Sequence, residues 1–384
     1  MKKILFISHE ATRTGAPLLL LQFLQWLKQN TQQEFSILLM YRGEMEDEFA
    51  KLGNLYILEP PIIQPLRLRQ QIVNALFKRK NKDSVIEYTE NIFKKIEHEK
   101  FSLVYGNTII SISVIQRLIK TILPNAKYIV HVHEMQSMLM YFEETIKELK
   151  NNPIHYIVVS DLVKNIFVTK YLLSPEYVNR VYGFIDYNNI EKYSRQKEVD
   201  SENYLIQCSG AVLSRKGYDI FIYIAKRAIQ KYPNIPFMFK WIGKYSIESK
   251  SFIDIDIQNA GLQNRVEFVG AIKNPFEVYS NADIFLLTSR EDPFPLVVLE
   301  HACLGIPTVC FKDATGIVEF IEEDAGVSVP YLDIEKMVDV IAELYFDKDK
   351  RIKMGQNAKQ KIQQYDIEIQ VPKIFNEIIK KINH

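Results

Sequence analysis

The sequence has few cysteines, almost no net charge and no long apolar run, and each shortage excludes a class of protein. Its three cysteines, Cys208, Cys303 and Cys310, lie in apolar contexts without metal-ligand spacing, which favours buried thiols in a reducing compartment over disulfides or a zinc site. The formal net charge of +1 argues against a nucleic-acid binder with a basic face over the whole molecule. No run approaches the length of about 18 apolar residues that would span a bilayer.

The beginning of the sequence favours a cytoplasmic protein. Two lysines are followed by only four apolar residues, Ile4 to Ile7, before polar ones. Such a run is too short for the apolar region of a signal peptide. We therefore expect the protein to stay in the cytoplasm.

The length and the strand pattern predict two α/β domains. A chain of 384 residues is about twice the usual size of one domain. Short runs rich in Ile, Val, Phe and Tyr alternate with segments of helical period, as in parallel β-α-β units. The polar stretch 186–202 predicts a linker. The predicted strands are 4–8, 35–41, 103–105, 128–131 and 157–160 before the linker, and 204–210, 236–242, 266–269, 284–288 and 308–311 after it.

The block 283–311 has the features of a diphosphate site. Its apolar strand ends in the polar turn 289–292, and a helix follows with Pro293 and Pro295 near its start, where a missing N–H does little harm. The carboxyl end of a parallel strand then faces a helix N-terminus, whose free N–H groups bind anions. The donor-contacting residues predicted there are Phe294, Pro295 and Leu296.

Two acids of this block are candidate sugar ligands. Glu300 lies eight residues after Asp292, inside the helix, and its carboxylate can accept two hydrogen bonds from a ribose diol. Asp292, at the mouth, can accept from sugar hydroxyls. The alternative is that Asp292 only caps the helix and that Glu300 is a solvated helix residue.

A second block, 210–219, follows a predicted strand and precedes a helix. Arg215 and Lys216 at a strand end, with Gly217 allowing close backbone approach, suit a diphosphate whose charge grows as a glycosidic bond breaks. The alternative for this block alone is a solvent-exposed Lys-Gly turn.

Together the two blocks resemble the family 4 glycosyltransferases of GT-B fold. Asp292-x7-Glu300 followed by Gly305-Ile306-Pro307-Thr308-Val309 is similar to the family's E-x7-E signature and its A-x-G-x-P-V-V strand. Lys216-Gly217 is in register with the family's G-R-L-x-x-x-K-G. The sequence departs from the pattern at Asp292, one methylene shorter than glutamate, and at Ala211, where the family has arginine. Arg215 is the candidate to supply that missing charge.

Weaker matches of the same kind lie in the first half of the chain. Gly15, in Thr14-Gly15-Ala16-Pro17, resembles the family's Gly-Gly loop, here with a single glycine. His133-Glu134 resembles its cleft histidine followed by an acid, which holds the donor sugar or the acceptor. Asn107 follows another predicted strand. A histidine on an apolar strand is more often a satisfied core residue, but alternation puts His131 and His133 on one face.

The resemblance implies two Rossmann-like domains that face a central cleft, the GT-B architecture. We expect an acceptor domain at 1–186, a donor domain at 187–366 and a terminal helix, 367–384, that returns to the first domain. The implied activity is retaining transfer of a sugar from a nucleoside diphosphate to a glycan or lipid-linked acceptor, with no obligatory metal and no cofactor. The catalytic residues would be His133, Asp292 and Lys216, with Glu134 and Asn107 on the acceptor side.

Two other functions stay open. An epimerase or phosphorylase on the same fold would need its own cleft acids, which the sequence does not reveal. A non-catalytic partner subunit would fit the departures at Ala211 and Asp292.

The stretch 60–82 predicts a membrane contact. It interleaves apolar residues with six cations and no acid, so it could dock the first domain on an anionic cytoplasmic leaflet. The alternative is that its apolar stripe packs on the domain's own sheet.

Overall fold

The computed structural model describes residues 2–60, 78–194 and 203–383. They form two compact units. The first comprises the described residues within Met1–Val158, Ile166–Asn179 and Lys373–His384, and the second comprises those within Val159–Asn165 and Arg180–Pro372. The predicted domain limits at 186 and 366 stay a prediction. The predicted membrane-docking stretch lies largely outside the described residues, as do residues 195–202 of the predicted linker.

The first unit is built on a seven-stranded sheet of order β3-β2-β1-β4-β5-β6-β7. The neighbouring pairs from β3 through β6 are parallel. Strand β1 is buried along its whole length, because helices cover both faces of a parallel sheet. The strands are β1 Ile4–Ser8, β2 Phe35–Leu39, β3 Asn54–Ile57, β4 Leu103–Gly106, β5 Lys127–Val132, β6 Ile154–Val158 and β7 Val178–Arg180.

Helices lie between these strands along the chain. They are α1 Gly15–Asn30, α2 Glu46–Ala50, α3 Lys78–His98, α4 Ile112–Arg117, α5 Gln136–Leu139 and α6 Glu143–Leu149. A short helical turn, Ile109–Ser111, precedes α4. Helix α1 buries Leu20, Leu24 and Leu27, whose spacing puts them on one face.

The second unit has a six-stranded sheet of order β10-β9-β8-β11-β12-β13. All five neighbouring pairs are parallel. Its strands are β8 Tyr204–Ser209, β9 Phe237–Ile242, β10 Val266–Gly270, β11 Ile284–Leu287, β12 Thr308–Phe311 and β13 Gly326–Val329. The helices from 161 onwards are α7 Asp161–Asn165, α8 Tyr187–Glu191, α9 Tyr218–Lys231, α10 Ile247–Ala260, α11 Phe276–Tyr279, α12 Leu296–Cys303, α13 Val318–Ile321, α14 Ile334–Phe346, α15 Lys348–Lys361 and α16 Ile367–Asn383.

An aromatic core fixes one end of the second sheet. Trp241 is fully buried and stacks on Phe268 at a centroid distance of 5.7 Å. Its indole N–H donates to the carbonyl of Gly210 at 2.8 Å, which satisfies the buried donor. The loop after β8 is therefore anchored to the core at its first residue.

The predicted α/β class with two open parallel sheets is confirmed. Nine of the ten predicted strands match within two residues at each end. The prediction of 157–160 is wrong in its start, since β6 begins at Ile154. The polar His155 interrupts the apolar run, so the sequence pattern did not indicate that start. Helix α16 runs through Pro372, where the chain passes from the second unit to the first. Among the described residues, no helix is both long and apolar enough to cross a bilayer.

Candidate functional site

Two loops meet at the carboxyl ends of β8 and β11 because these strands are neighbours in a parallel sheet. The first loop, 210–217, carries Lys216, and the second, 288–292, carries Asp292. The Lys216 ammonium forms an ion pair with the Asp292 carboxylate, and both side chains are largely buried. The hydroxyl of Ser289 lies 3.3 Å from the same Asp292 oxygen. The structure thus joins the two blocks that the sequence singled out separately.

Gly217 makes the close approach of the loops possible. Its φ is +72°, in the left-handed region that favours glycine. A Cβ there would lie 2.0 Å from the Thr288 carbonyl oxygen. The close approach that Gly217 allows in the structure is that of Thr288, and the approach of a diphosphate at this glycine stays a prediction.

The turn after β11 leads into α12 in the predicted way. The Asp292 N–H donates to the Ala314 carbonyl at 2.9 Å, so the turn is tied to the loop after β12. Pro295 is the N-cap residue of α12 and has no N–H to offer a ligand. The N–H groups of Leu296 and Val297, the first in the helix, have no partner among the described residues. They are the donors that this helix can present to an anion.

The side chain of Phe294 packs inside the second unit. Its ring is buried and stacks on Tyr182 at 5.0 Å and on Tyr365 at 5.9 Å. The predicted nucleotide-sugar contacts at Phe294 and Pro295 stay predictions.

Glu300 is a carboxylate that no described residue binds. It lies in the second turn of α12 and is half-buried, and it makes no hydrogen bond or ion pair with any described residue. Burial raises the pKa of Glu300 to about 7, because the charged form loses water without gaining a donor. The prediction that Glu300 is a solvated helix residue is therefore wrong. A half-buried unpaired acid is instead suited to accept hydrogen bonds from a ligand.

Arg215 lies on the surface beside this site. Its side chain is exposed, and its guanidinium lies 3.5 Å from the Glu291 carbonyl oxygen. Ala211, at the other end of the loop, is also exposed. Whether Arg215 replaces the arginine missing at Ala211 stays a prediction.

In the first unit, a histidine cluster lies at the ends of β1 and β5. The rings of His131 and His133 are 4.1 Å apart, as the alternation of a strand predicts. His131 Nδ1 and the Tyr105 hydroxyl are 2.6 Å apart. The Nε2 atoms of both histidines are buried and have no hydrogen-bond partner in the described part of the chain. Burial lowers the pKa of His133 to about 3, with His9 adding to the shift, so its imidazole is neutral at physiological pH.

The other candidates of the first unit have structural contacts. The Asn107 amide donates to the Ala16 carbonyl at 2.7 Å and is buried, so Asn107 fixes the first turn of α1. Glu134 accepts from the N–H groups of Ile109 and His133 at 3.1 and 2.9 Å. These backbone contacts give Asn107 and Glu134 a structural role. Gly15 begins α1, and a Cβ there would meet no atom within 4 Å.

Sequence reasoning missed three residues of the second unit that build the site, namely Thr288, Ser289 and Arg290. They lie inside the quoted block, but no sequence signal separated them from ordinary turn residues. Among the described residues, no three His, Cys, Asp or Glu side chains group as a metal site would require.

Comparison with known proteins finds a family resemblance within the second unit. Residues 189–361 match the family model described as "Glycosyl transferases group 1". The capsular polysaccharide biosynthesis glycosyltransferase CapM of Staphylococcus aureus is 22% identical over 239 residues, 62% of this chain and 61% of CapM. An uncharacterized glycosyltransferase of Haemophilus influenzae is 25% identical over 175 residues, 45% of this chain and 48% of that protein. The chain spans only 14% of the exopolysaccharide phosphotransferase SCO2592 of Streptomyces coelicolor, with 28% identity over 33% of this chain.

Solved structures match along nearly the whole chain. Anabaena Alr3699/HepE in complex with UDP superposes with a TM-score of 0.76 and 18% identity, over 99% of this chain and 100% of that one. WaaG, a glycosyltransferase involved in lipopolysaccharide biosynthesis, gives a TM-score of 0.69 and 12% identity over 97% of this chain and 98% of that one. At such identities the likeness shows the fold. The chain therefore has the GT-B fold, and its residues 189–361 are similar to the group 1 glycosyl transferases.

Proposed function

We propose that this protein is a retaining glycosyltransferase that moves a sugar from a nucleoside diphosphate sugar to a glycan or lipid-linked acceptor in surface polysaccharide synthesis. The observation that carries the proposal is the joining of Lys216, Asp292 and the start of α12 at the ends of β8 and β11. In an open parallel sheet, ligands bind outside the carboxyl ends of the strands.

Each group has a chemical task in this proposal. The N–H groups of Leu296 and Val297 bind the diphosphate, and Lys216 offsets the charge that grows on it as the glycosidic bond breaks. Glu300 accepts hydrogen bonds from the ribose diol. Asp292 accepts from a sugar hydroxyl. Because the Lys216–Asp292 pair is already formed, the charge of Lys216 is held in place before the substrate arrives.

The names of similar proteins support the donor and acceptor classes. HepE was crystallised with UDP and with UDP-glucose. A Campylobacter jejuni relative, 29% identical over 139 residues, 35% of this chain and 36% of that protein, is named as an N-acetylgalactosaminyltransferase acting on a diphospho-undecaprenol-linked sugar. We propose the same classes here, a nucleotide sugar and a glycan or lipid-linked acceptor.

We propose retention by a front-face route without an obligatory metal or cofactor. The leaving diphosphate helps to deprotonate the acceptor, and no covalent sugar-enzyme intermediate forms. The resemblance to family 4 is the basis for this route. Proton NMR of the product decides whether the anomeric configuration of the transferred sugar is retained or inverted, and inversion would contradict this route.

A thermal-shift screen followed by a turnover assay tests the proposal. UDP-glucose, UDP-N-acetylglucosamine and GDP-mannose are added in turn, since a ligand that binds only the folded state raises the melting temperature. Release of nucleoside diphosphate is then measured with and without lipid-linked acceptor. Binding without release in any mixture would favour the alternative, a non-catalytic partner subunit, to which Ala211 in place of arginine points.

Docking on an anionic membrane through residues 60–82 stays a proposal from the sequence. Liposome co-sedimentation tests it with the full chain and with a variant in which Lys78, Arg79, Lys80 and Lys82 are glutamine. Equal binding of the two proteins would contradict it.

A further inference from the structure

The loop 210–217, which carries Lys216, has four consecutive carbonyl oxygens that are bound by residues of the loop 288–292. The two residues that bind them are Thr288 and Arg290. Arg290 donates from Nη1 to Ser214 O at 2.6 Å and from its backbone N–H to Arg215 O at 2.8 Å. The Thr288 hydroxyl lies 3.1 Å from Lys216 O and 2.9 Å from Gly217 O. No peptide from 214 to 217 can rotate without losing such a hydrogen bond.

Arg290 is itself held from a third direction. Its two terminal nitrogens bind the two carboxylate oxygens of Asp219 at 2.9 and 2.7 Å. Asp219 lies in the first turn of α9, the helix that follows the loop. The Arg290 guanidinium lowers the pKa of the Asp219 carboxyl. A planar guanidinium can bind a carboxylate and a carbonyl in fixed directions, which lysine cannot do.

Arg290 thus links the loop before α9, the start of α9 and the turn after β11. The two loops that it joins carry Lys216 and Asp292, whose side chains are paired. Arg290 is about one-third exposed and makes no contact with that ion pair. Its effect on Lys216 therefore passes through the backbone of residues 214–217.

We infer that Arg290 is a positioning residue of the donor site, whose guanidinium keeps Lys216 aligned for a diphosphate by binding the carbonyl oxygen of Ser214 and the carboxylate of Asp219. This inference rests on the proposed function. The inferred role goes beyond that of an ordinary surface ion pair, which contributes little to the free energy of unfolding. A small displacement of a charged group costs a large factor in a pre-organised site.

The chain offers a matched control. Arg227 also makes a bidentate ion pair, with Glu335, at similar exposure and in the same unit. Its guanidinium binds no loop carbonyl among the described residues. Arg290→Met and Arg227→Met therefore each remove a bidentate ion pair, and only the first also removes a hydrogen bond to a loop carbonyl, that of Ser214. The backbone N–H of residue 290, which donates to Arg215 O, is kept in Arg290→Met.

Hydrogen–deuterium exchange of the ligand-free protein measures the loop directly. Arg290→Met should accelerate exchange of the amides of residues 214–220, and Arg227→Met should not. Titration with UDP then measures the site, and Arg290→Met should lower its affinity by roughly tenfold. In a Lys216→Met, Asp292→Asn background, Arg290→Met should cause no further loss, because it acts through Lys216.

The outcomes separate this inference from the proposed function. If the wild-type chain binds UDP and Arg290→Met binds it equally well, the positioning role is wrong while the donor site stands. An equal loss in Arg227→Met, or an undiminished loss in the Lys216→Met, Asp292→Asn background, would also overturn it. If the wild-type chain binds neither UDP nor GDP, the proposed donor site is wrong, and the positioning role fails with it.

Discussion

Replacing Glu300 by glutamine should weaken donor binding and stabilise the empty protein. The carboxylate has no described partner and a pKa raised to about 7 by burial. A ribose diol would donate to its ionised form, so Glu300→Gln loses hydrogen bonds to a charged acceptor. Such a loss costs about 1.5–3 kcal/mol, or roughly ten- to a hundredfold in Kd.

The pH dependence of binding follows from the same group. Below pH 7, the wild-type carboxyl must lose its proton before both of its oxygens can accept from the diol as a charged group. At pH 6 only about one-tenth of the molecules are ionised, so affinity should be roughly tenfold weaker than at pH 8. His301 and Tyr279 do not add to this dependence, since burial lowers the pKa of His301 to about 3 and raises that of Tyr279.

Stability should change in the opposite sense. A carboxyl whose pKa is raised in the folded state holds its proton there while the unfolded chain has lost it. The free energy of unfolding of the wild-type protein therefore falls as pH rises from about 4.5 to 7, and it stays low above that. Glu300→Gln lacks this loss and should melt at a higher temperature than wild type at pH 8.

Calorimetric titration with the nucleotide sugar chosen by the thermal-shift screen measures the affinities of the wild type and of Glu300→Gln between pH 5.5 and 8.5. Both phosphates of a nucleotide sugar are esterified, so the ligand itself does not titrate near neutrality. Thermal melting without ligand gives the stability. Equal affinity of Glu300→Gln and wild type at pH 8, or wild-type affinity that is flat from pH 6 to 8, would refute the assignment of Glu300 to the ribose.

Three further predictions concern other candidate residues. Lys216→Met should abolish turnover and lower the melting temperature, because Asp292 is left as a buried unpaired charge, at a cost of about 3–5 kcal/mol; adding Asp292→Asn should restore the melting temperature and leave turnover absent. Gly15→Ala should keep or raise the melting temperature, since Gly15 has neither a left-handed backbone nor a close neighbour, and a fall in turnover would then indicate close ligand approach. In an NMR titration, the rings of His131 and His133 should stay neutral down to pH 5, given their lowered pKa values, and a mid-point near 6.5 for either would contradict the buried cluster.

The central strands were predictable because they are nearly continuous apolar runs between polar segments. The strands that sequence reasoning missed are β3, β7 and β13, which are three of the four sheet edges. An edge strand is short and half-exposed, and it lacks the apolar run that marks a buried strand. The sequence pattern therefore predicted the middle of each sheet, where the site lies, better than its borders.

The candidate site was predictable in its residue types and less so in its contacts. Lys216, Asp292 and Glu300 were found from their positions after strands and within a helix. The sequence could not show that Lys216 and Asp292 pair, since 75 residues lie between them and the contact depends on the order β8-β11 in the sheet. The sequence also could not show that Asn107 and Glu134 bind backbone groups, and their acceptor-side role stays a prediction.

The shorter acid at position 292 is intelligible from its surroundings. Its carboxylate lies inside the turn, where Lys216 and Ser289 contact the same oxygen, Oδ2. A glutamate would carry its carboxylate one methylene farther from the backbone, away from the position that both donors now share. The departure from the family pattern and the buried ion pair are therefore consistent with each other. In this chain, the acid that faces the sugar in the proposal is also the group that holds the cation for the leaving diphosphate.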